Sequence, residues 1–383
     1  MPYPAPSRAV LSMTGTPFGA LAAGAVGRRE PPIELHVGDT WPPPVAGARI
    51  EDVTAAAFSE AHRYVDPAGW PPLREALVEK LRRHNGMSAL EPGGVLPTAG
   101  CTGAMAAVAG ALLDPGDRVL LCSPHWPLIR GIVQAREAVP VEVPAYALAT
   151  DPPALRRALE AACRPGAAAL YVSTPNNPSG AVLPLAALEV MVEVARARGL
   201  WLLSDEVYED YSYQGEHVSI GALAPERTLT AFSFSKAYGQ AGYRCGYLAG
   251  PADAVRQARR VATHQIYNPP APSQVAALAA LERGRGWLAD ARARYRAAGE
   301  RAAARLGVPA PAGGTFLFVD VADHLDEGGL AGFLERCLDR GLLLAPGPNF
   351  GSAWTTHVRL CFTCVAPELV DRGVEILAGV MGR

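Results

Sequence analysis

Short apolar runs alternate with amphipathic helical segments from about residue 73 onward, and few folds accommodate this alternation. The helical segments include LREALVEKLRRHNG, which ends at Gly86, and LAALEVMVEVARARG. The apolar runs, such as RVLLCSP, WLLSDEVY and TLTAFSFSK, have no clean period-2 alternation of polar residues. Strands of this kind are buried on both faces, as in parallel sheets covered by helices. The sequence therefore predicts an α/β fold whose large domain has a mainly parallel, helix-flanked sheet.

The C-terminal part of the chain has a different pattern and predicts a smaller α+β domain. An Ala- and Arg-rich helical stretch spans roughly residues 272–305, and the strand-like segments GGTFLFVDV, RGLLLAPG and HVRLCFTCV follow it. The first 40 or so residues carry little periodicity, which is typical of an arm that packs over another part of the fold. We predict an N-terminal arm and part of the small domain at 1–41, the large domain at 42–282, and the small C-terminal domain at 283–383.

Composition and charge weigh against several classes of function. The 383 residues carry a formal net charge of −2, which gives no reason to expect a nucleic-acid partner. The N-terminus lacks the charged start and apolar core of a signal peptide, and no apolar run reaches the roughly 18–20 residues of a membrane span. Seven cysteines, an odd number in a chain without a secretory signal, favour reduced thiols and a cytoplasmic location.

One CxxC pair, Cys361 and Cys364, lacks the second Cys/His pair of a tetrahedral zinc site. Its surroundings, HVRLCFTCV, predict a strand, in which a spacing of three places the two thiols on opposite faces. We interpret both cysteines as small buried residues and expect no metal site.

Polar residues follow several of the apolar strands, after VLPTAG, ALYVSTP and TAFSFS and within LLSDEVY. In open α/β sheets, ligands bind beyond the carboxyl ends of the strands. The fold would therefore bring these distant clusters to one edge of the sheet, and we expect the functional site there.

A lysine stands at one of these strand ends, in a chain that uses arginine almost everywhere else. Lys80 and Lys236 are the two lysines among 35 basic residues, and the other 33 are arginine. Arginine can serve any surface or ion-pair role, but it cannot lose a proton and form a Schiff base with a carbonyl. Lys236, directly after an apolar strand, therefore indicates imine chemistry, for which the most common carbonyl partner is pyridoxal phosphate.

The ring of pyridoxal phosphate requires an acid at its nitrogen, and Asp205 in LLSDEVYEDY is a lone carboxylate that ends an apolar strand. Tyr208, three residues later, offers a phenol to the ring hydroxyl oxygen, and Asn177 in STPNNPSG offers an amide. Trp126 lies just after a strand and can stack on the ring. His125, directly before Trp126, is interpreted as a hydrogen-bonded polar residue of this edge and not as a catalyst.

The phosphate of the cofactor requires hydrogen-bond donors. PTAGCTGAM places small residues at the start of a helix, so the backbone amides of Cys101 and Thr102 can face a phosphate at its positive end. Ser233 and Arg244 stand on either side of Lys236 and can complete the phosphate site.

Together, in this order and spacing, these residues resemble the class I/II aminotransferases of the fold-type-I pyridoxal-phosphate-dependent enzymes. The resemblance rests on SxSKxxGxxxxR around Lys236, D-x-x-Y at 205–208, NNPSG at 176–180, and a late strand that carries Arg359. It covers roughly residues 33–380, nearly the whole chain. The large domain would then be the one that binds pyridoxal phosphate.

The resemblance implies a role for each residue. Lys236 would hold the cofactor as a Schiff base and then act as the base that moves a proton between substrate Cα and cofactor. Asp205 would pair with the pyridinium nitrogen, and Tyr208 and Asn177 would bond the ring hydroxyl oxygen. The phosphate ligands would be Cys101, Thr102, Ser233 and Arg244, and the substrate α-carboxylate would be bound by Arg359 with Gly38 and Asn177. Tyr64 matches a tyrosine that reaches the phosphate of the neighbouring subunit, which implies a homodimer with shared active sites.

The implied activity is transfer of an amino group from an L-amino acid to a 2-oxo acid by a ping-pong mechanism. Elimination, cyclisation, decarboxylation or oxidation with the same residues is the alternative, because the bond that breaks at Cα depends on an alignment that motifs do not report. A non-catalytic ligand-binding domain of a DNA-binding regulator is a weaker alternative, since only about 40 residues precede the first motif and they contain no basic helix pair.

Two segments depart from the family pattern. Cys101 stands where many members have a small residue or serine. VATHQIYNPP has Thr263 or His264 where dicarboxylate-specific relatives have an arginine from the partner subunit, which makes aspartate and glutamate weaker candidates as donors. Other candidates for substrate contacts are Arg259 and Arg260 for a distal carboxylate, and Tyr267, Trp41 and Phe18 for an apolar or aromatic side chain.

Overall fold

A seven-stranded sheet lies at the centre of the protein in the computed structural model, which describes residues 5–13, 30–53 and 58–383. In chain order the described strands are β1 (Ile33–Glu34), β2 (Val95–Thr98), β3 (Arg118–Cys122), β4 (Val139–Val143), β5 (Ala167–Ser173), β6 (Trp201–Asp205), β7 (Thr228–Ser233), β8 (Gly246–Ala249), β9 (Phe316–Asp320), β10 (Leu342–Leu343), β11 (Ala345–Pro346) and β12 (His357–Cys361). The central order is β2-β8-β7-β6-β5-β3-β4. Strand β8 runs antiparallel to both neighbours, and β7, β6, β5, β3 and β4 pair in parallel.

Helices cover both faces of this sheet. In chain order the described helices are α1 (Arg8–Ser12), α2 (Pro71–His84), α3 (Gly100–Leu112), α4 (Pro127–Gln134), α5 (Pro152–Ala162), α6 (Leu185–Arg198), α7 (Ile220–Leu223), α8 (Phe234–Ala237), α9 (Ala252–Ile266), α10 (Ala271–Arg283), α11 (Arg285–Leu306), α12 (Gly329–Asp339) and α13 (Pro367–Val380). Within the described ranges, none of them is long and apolar enough to cross a membrane.

Successive residues of the central strands face different helices. Tyr171 of β5 packs in a cluster with side chains of α3 and α9, whereas Leu170 and Val172 pack in a cluster with α5 and α6. Because both faces are buried, apolar residues occupy consecutive positions along the strand. The predicted α/β fold with a mainly parallel, helix-flanked sheet is confirmed.

A second, smaller sheet lies in the C-terminal part of the chain. Strands β11, β12 and β9 pair in antiparallel, and Arg359 of β12 lies opposite Phe318 of β9. Strand β1 pairs in parallel with β10, and Leu35, just after β1, packs in the same core as α11 and α13. The segment near residue 33 thus joins the C-terminal part, while the predicted domain boundaries at 41 and 282 stay a prediction.

Two other segments differ from their predicted extents. The helical stretch predicted over 272–305 is two helices, α10 and α11, which are separated at Gly284. RGLLLAPG contains two short strands, of which one pairs with β1 and the other with β12.

The two cysteines of the CxxC pair do not lie on opposite faces of a strand, and that prediction was wrong. Strand β12 ends at Cys361, and the chain then turns because Thr363 binds a neighbouring segment: its hydroxyl donates to the Asp39 carbonyl (2.7 Å), and its carbonyl accepts the Trp41 N–H (2.8 Å). Cys364 therefore folds back, with its sulfur 3.5 Å from the Cys361 carbonyl oxygen, and both thiols are free. Burial would raise the pKa of Cys361, but hydrogen bonds from Cys364 and Thr363 outweigh it and lower the pKa to about 6.

Candidate active site

A cavity of about 330 Å³ opens where β6 and β7 end, at Asp205 and Ser233. Its lining residues are Gly38, Cys101, Thr102, Trp126, Pro127, Leu128, Asn177, Asp205, Val207, Tyr208, Ser233, Ser235, Lys236, Ala241, Arg244 and Arg359. Eleven of the twelve residues that the sequence singles out therefore meet in one place, at the edge of the sheet where ligands of such folds bind. The twelfth, Tyr64, lies outside this cavity and is 85% exposed.

One end of the cavity presents donors to an anion. Helix α3 begins at Gly100, and the first N–H groups of a helix have no acceptor within it, so those of Cys101 and Thr102 are available there. Arg244, at the end of a turn with φ +55°, donates from Nη1 to the Ala241 carbonyl at 2.8 Å. Helix N–H groups and a guanidinium together form an anion site.

The carboxylate of Asp205 is buried at the end of β6 among neutral donors. The Tyr171 hydroxyl donates to its Oδ2 at 2.8 Å, and the Val207 N–H donates to Oδ1 at 3.4 Å. Burial raises the pKa of Asp205 to about 6, and these hydrogen bonds together with one from Cys101 oppose the rise. A positive charge beside this carboxylate would complete its pairing.

The amine of Lys236 lies within the cavity and has no carboxylate partner at hydrogen-bond distance among the described residues. Its Nζ donates to the backbone carbonyl of Gly38. Burial lowers the pKa of this amine, Arg244 and Arg359 lower it further, and Asp39 opposes them. The environment thus favours the neutral, nucleophilic form.

Arg359 of β12, in the three-stranded sheet, lines the cavity and contacts Asn177, which follows β5 of the central sheet. Its Nη1 donates to Asn177 Oδ1 at 2.8 Å, and its Nη2 donates to the His36 carbonyl at 2.5 Å. The guanidinium carbon stands 4.2 Å and 4.7 Å from the ring centroids of Phe316 and Phe350. Burial lowers the pKa of Arg359 to about 10. Amide, carbonyl and two aromatic faces hold the guanidinium in one orientation, as bidentate recognition of a carboxylate requires.

Tyr208 and Trp126 stand on either side of the cavity. The Tyr208 ring packs edge-on against Phe316, with centroids 5.6 Å apart, and burial raises the pKa of its hydroxyl, so the phenol remains a proton donor. Trp126 precedes α4 and its carbonyl contacts Nδ1 of His125 at 3.0 Å. His125 is itself buried, with Nε2 3.8 Å from Oε1 of Glu142, and this contact together with two hydrogen bonds from Ser352 lowers the pKa of that carboxyl to about 2.

Comparison with known proteins decides which chemistry this cavity serves. The family model for aminotransferase class I and II matches residues 34–377. An aspartate/prephenate aminotransferase of Thermus thermophilus is 36% identical over 332 residues, which cover 84% of each chain. An arginine–pyruvate transaminase of Pseudomonas aeruginosa is 33% identical over 85% of this chain and 84% of its own. The solved aspartate aminotransferase of T. thermophilus with maleate matches with a TM-score of 0.88, at 32% identity, over 99% of this chain and 100% of that one.

The chain belongs to the class I and II aminotransferases. It is a pyridoxal-phosphate-dependent enzyme, and the relatives named above are aminotransferases or transaminases, so the predicted activity is confirmed. The lyase, cyclase and oxidase alternatives, and the non-catalytic one, are not favoured.

The residues of this aminotransferase fit pyridoxal phosphate. A Cβ at Gly100, where φ is +66°, would lie 2.7 Å from Nη2 of Arg244, so only glycine lets the guanidinium lie against the first turn of α3. The hydrogen-bond partners of Asp205 are neutral donors, so the carboxylate can pair with one cation, which a protonated pyridine nitrogen would supply. Lys236, whose amine has a lowered pKa, lines the same cavity.

Several residues of the aminotransferase site were not predicted. Ser235 lines the cavity and accepts a hydrogen bond from the Ser233 hydroxyl at 2.9 Å. Tyr171 donates to Asp205 from the neighbouring strand, and Tyr211 donates to the Lys236 carbonyl at 2.8 Å. A tyrosine in the otherwise aliphatic run AAALYVS is the signal that could have identified Tyr171.

The candidate substrate-specificity residues of the aminotransferase do not line this cavity. Thr263 and His264, in α9, bond to backbone carbonyls one turn earlier in the same helix, at 2.8 Å and 2.7 Å. Tyr267 packs its ring against Tyr64, with centroids 4.8 Å apart, and both are exposed. The remaining candidates are Arg259 and Arg260, which are also in α9, Trp41, which is 42% exposed, and Phe18, which lies outside the described residues.

Proposed function

We propose that this aminotransferase moves the amino group of an L-amino acid to a 2-oxo acid in two half-reactions at the cavity around Lys236. The observation that carries the assignment is that one cavity is lined by an amine with a lowered pKa (Lys236), a buried carboxylate (Asp205) and two separate guanidinium groups (Arg244 and Arg359). Pyridoxal phosphate, when bound there, supplies a carbonyl carbon that attaches to amines and a ring that draws electrons away from the substrate Cα.

The cofactor-binding residues would form separate groups, each of which binds one part of the cofactor. The amides of Cys101 and Thr102, the Ser233 hydroxyl and Arg244 would bind the phosphate. Asp205, held by the Tyr171 hydroxyl at 2.8 Å, would keep a proton on the pyridine nitrogen. Tyr208 and Asn177 would donate to the ring hydroxyl oxygen, and Trp126 would cover one face of the ring.

Lys236 would be both the point of attachment and the acid–base group. The lowered pKa of the amine favours its neutral form, which is the form able to take a proton from the substrate Cα and return it to another carbon. The Gly38 carbonyl, which accepts from Nζ, would orient the amine between these positions. Arginine has too high a pKa for this task.

Arg359 would select the substrate by its α-carboxylate. Its two donating nitrogens already lie on the Asn177 amide oxygen and the His36 carbonyl, so a carboxylate would add to a guanidinium whose direction is set. The same carboxylate is present in amino acids and in 2-oxo acids, and one guanidinium can therefore serve both half-reactions.

The quaternary state and location are part of the proposal. We propose a cytoplasmic homodimer in which Tyr64, exposed in a single chain, reaches the phosphate in the partner's site. Exposed apolar side chains near it, Ile266 and Tyr267, are of the kind that subunit interfaces cover. The division into an arm and domains at 1–41, 42–282 and 283–383 belongs to the same proposal.

The amino donor is to be found by a half-reaction screen. The purified enzyme with bound cofactor is mixed with single amino acids: aspartate and arginine, after the relatives named above, and phenylalanine, after the aromatic candidates Trp41 and Tyr267. A donor is expected to bleach the visible absorbance, and a 2-oxo acid added afterwards is expected to restore it. Release of ammonia without any 2-oxo acid would contradict amino transfer. Monomers at micromolar concentration with full activity would contradict the shared site.

A further inference from the structure

The second lysine of the chain, Lys80, is partly buried and contacts segments that adjoin the active-site cavity. It lies near the end of α2, and its side chain is 17% exposed. The ammonium forms an ion pair with Glu209 and lies 4.9 Å from the ring centroid of Phe232 and 5.9 Å from that of Tyr247. A lysine so placed contacts three elements at once.

One of these elements is the single turn Glu209–Tyr211, which directly follows Tyr208. Glu209 receives Lys80 on one carboxylate oxygen and the Asn85 amide on the other. At the other end of the turn, the Tyr211 hydroxyl donates to the Lys236 carbonyl at 2.8 Å and to the Ala237 carbonyl at 3.0 Å. The turn therefore connects Lys80 to the loop of Tyr208 and to the backbone of Lys236.

The second element is strand β7, through the face of Phe232. Phe232 directly precedes Ser233, which lines the cavity. Its ring stacks on Tyr247 of β8, with centroids 4.9 Å apart and planes 18° apart. An ammonium held over aromatic faces is attracted to them, so Lys80 fixes the position of the strand end as well as that of the turn.

Three carboxyl groups lie around Lys80: those of Glu206, Glu209 and Asp210. Ligand atoms of Glu206, Glu209 and His217 lie within 4.8 Å of one another, as metal ligands do. However, Glu209 is paired with Lys80, and Glu206 accepts from His217 Nε2 at 2.9 Å. Burial lowers the pKa of both cations, but their carboxylate partners outweigh it and raise the pKa of each. Glu206 and Glu209 are thus each bound to a nitrogen group of the protein.

The compact ammonium explains why arginine is absent here. Lysine carries a point charge on a flexible stem, whereas the guanidinium of arginine is broad, planar and less suited to a closed space. At this site the charge must fit between a carboxylate and an aromatic face while the stem crosses the core.

We propose that Lys80 is a positioning residue of the active site: through Glu209 and Phe232 it holds the Tyr208–Tyr211 segment and Ser233 in place, and through Tyr211 it sets the backbone of Lys236. The proposal rests on the proposed function of the Lys236 cavity. It assigns the two lysines of the chain to one mechanism, with one reactive and the other holding the reactive one in place.

The test compares three variants as holoenzymes. Lys80→Met removes the charge and keeps the stem, and Lys80→Met with Glu209→Gln removes both charges of the ion pair, so that Glu209 is not left as a carboxylate without its cation. Arg83→Met is the control, because it removes an exposed cation of the same helix, 71% exposed and paired with Glu79. The readouts are the cofactor dissociation constant, the midpoint of the pH titration of the visible absorbance, and the melting temperature of the apoprotein.

We expect Lys80→Met to bind the cofactor about tenfold more weakly and to shift the absorbance midpoint, because Tyr208 and Lys236 are displaced. The double variant is expected to recover the wild-type melting temperature, but neither the wild-type cofactor affinity nor the wild-type absorbance midpoint. Arg83→Met should match the wild type in all three measurements. A double variant with wild-type affinity and midpoint would overturn the proposal, since Lys80 would then only balance Glu209. Should Lys80→Met alone fail to fold, the double variant decides. Failure of the proposed function is a separate result, seen as a wild-type enzyme whose absorbance no amino donor bleaches.

Discussion

The surroundings of the two lysines differ in one respect that decides what each can do. Around Lys236, burial lowers the pKa of the amine; Asp39 and Cys361 raise it, Arg244 and Arg359 lower it, and the net pKa stays below the ordinary value. Around Lys80, burial acts in the same direction, but the Glu209 carboxylate outweighs it and raises the pKa well above the ordinary value. Two lysines that are both largely buried thus have pKa values shifted in opposite directions, because only Lys80 has a carboxylate paired with its ammonium.

Replacing Lys236 with arginine, the usual basic residue of this chain, should abolish the reactivity that distinguishes Lys236 from Lys80. Lys236→Arg keeps a positive charge but cannot attach to a carbonyl, and we expect turnover to fall by at least about 10³-fold. The measurement is the steady-state rate with the best donor from the screen, together with the visible absorbance of bound cofactor. Circular dichroism of the variant controls for folding. Activity above about a hundredth of wild type would contradict the assignment.

The converse replacement, an ammonium for a guanidinium, tests Arg359. Lys at this position cannot reach both Asn177 Oδ1 and the His36 carbonyl, which the guanidinium contacts at 2.8 Å and 2.5 Å. We therefore expect Arg359→Lys to lower kcat/KM about 100-fold, mostly by raising KM for the amino acid and the 2-oxo acid alike. Separate kinetics for the two half-reactions measure this. A KM that rises for one substrate only would mean that Arg359 does not bind the shared carboxylate.

The reactive lysine and most of its neighbours could be predicted because a short stretch of sequence around each residue identifies it. Asp205 and Ser233 end strands, and Lys236 follows three residues after Ser233 in α8; the topology of a parallel sheet brings such strand ends together whatever their distance along the chain. Arg244 is marked by its fixed spacing from Lys236. For these residues a correct strand pattern is sufficient to predict the site.

The surroundings of Lys80 could not be predicted in this way, because no nearby sequence pattern identifies its partners. Lys80 and Glu209 are 129 positions apart, and they meet across the packing of a helix on a turn, not at a strand end. Tyr211 and Lys236, 25 positions apart, meet for the same reason. The CxxC pair failed differently: a hydrogen bond from Thr363 to Asp39, 324 positions away, turns the chain out of the predicted strand. Side-chain contacts between distant segments are the part of the site that local patterns do not contain.

The stability of the apoprotein should respond oppositely to the loss of each lysine. Lys80→Met leaves the Glu209 carboxylate without its cation, and we expect a loss of about 2 kcal/mol in the free energy of unfolding at pH 7. Lys236→Met removes a buried amine that has no carboxylate partner at hydrogen-bond distance among the described residues, and the free energy should stay the same or increase. Urea unfolding of the two apoproteins measures both. Equal losses would contradict the comparison.

The pH dependence of the same measurement sharpens the contrast. The raised pKa of Lys80 means that its stabilisation is complete below the ordinary value of 10.5 and is lost as pH rises through the raised pKa. The lowered pKa of Lys236 means that the folded chain binds fewer protons there, so stability is gained as pH rises from the lowered pKa to 10.5. The quantity to compare is the free energy of unfolding of the wild type minus that of the variant, measured from pH 7 to about 11. This difference should fall near the top of the range for Lys80→Met, and it should rise at lower pH for Lys236→Met. Slopes of the same sign would refute the assignment of neighbours.

The smallest expected effect concerns Cys361, a neighbour that raises the pKa of Lys236 as Glu209 raises that of Lys80. The Cys361 thiol, whose pKa hydrogen bonds lower to about 6 against its burial, is largely ionised at pH 7 and raises the pKa of Lys236. Cys361→Ser removes that negative charge, so the amine should titrate lower, by less than about one unit. The pH dependence of the rate at which apoprotein and cofactor regain visible absorbance measures the amine, and Cys163→Ser, at a partly exposed free thiol outside the cavity lining, is the control. A midpoint that is unchanged or higher in Cys361→Ser would mean that the thiol is neutral beside Lys236. The low pKa of the amine would then be due to burial and the two guanidinium groups without any opposing thiolate.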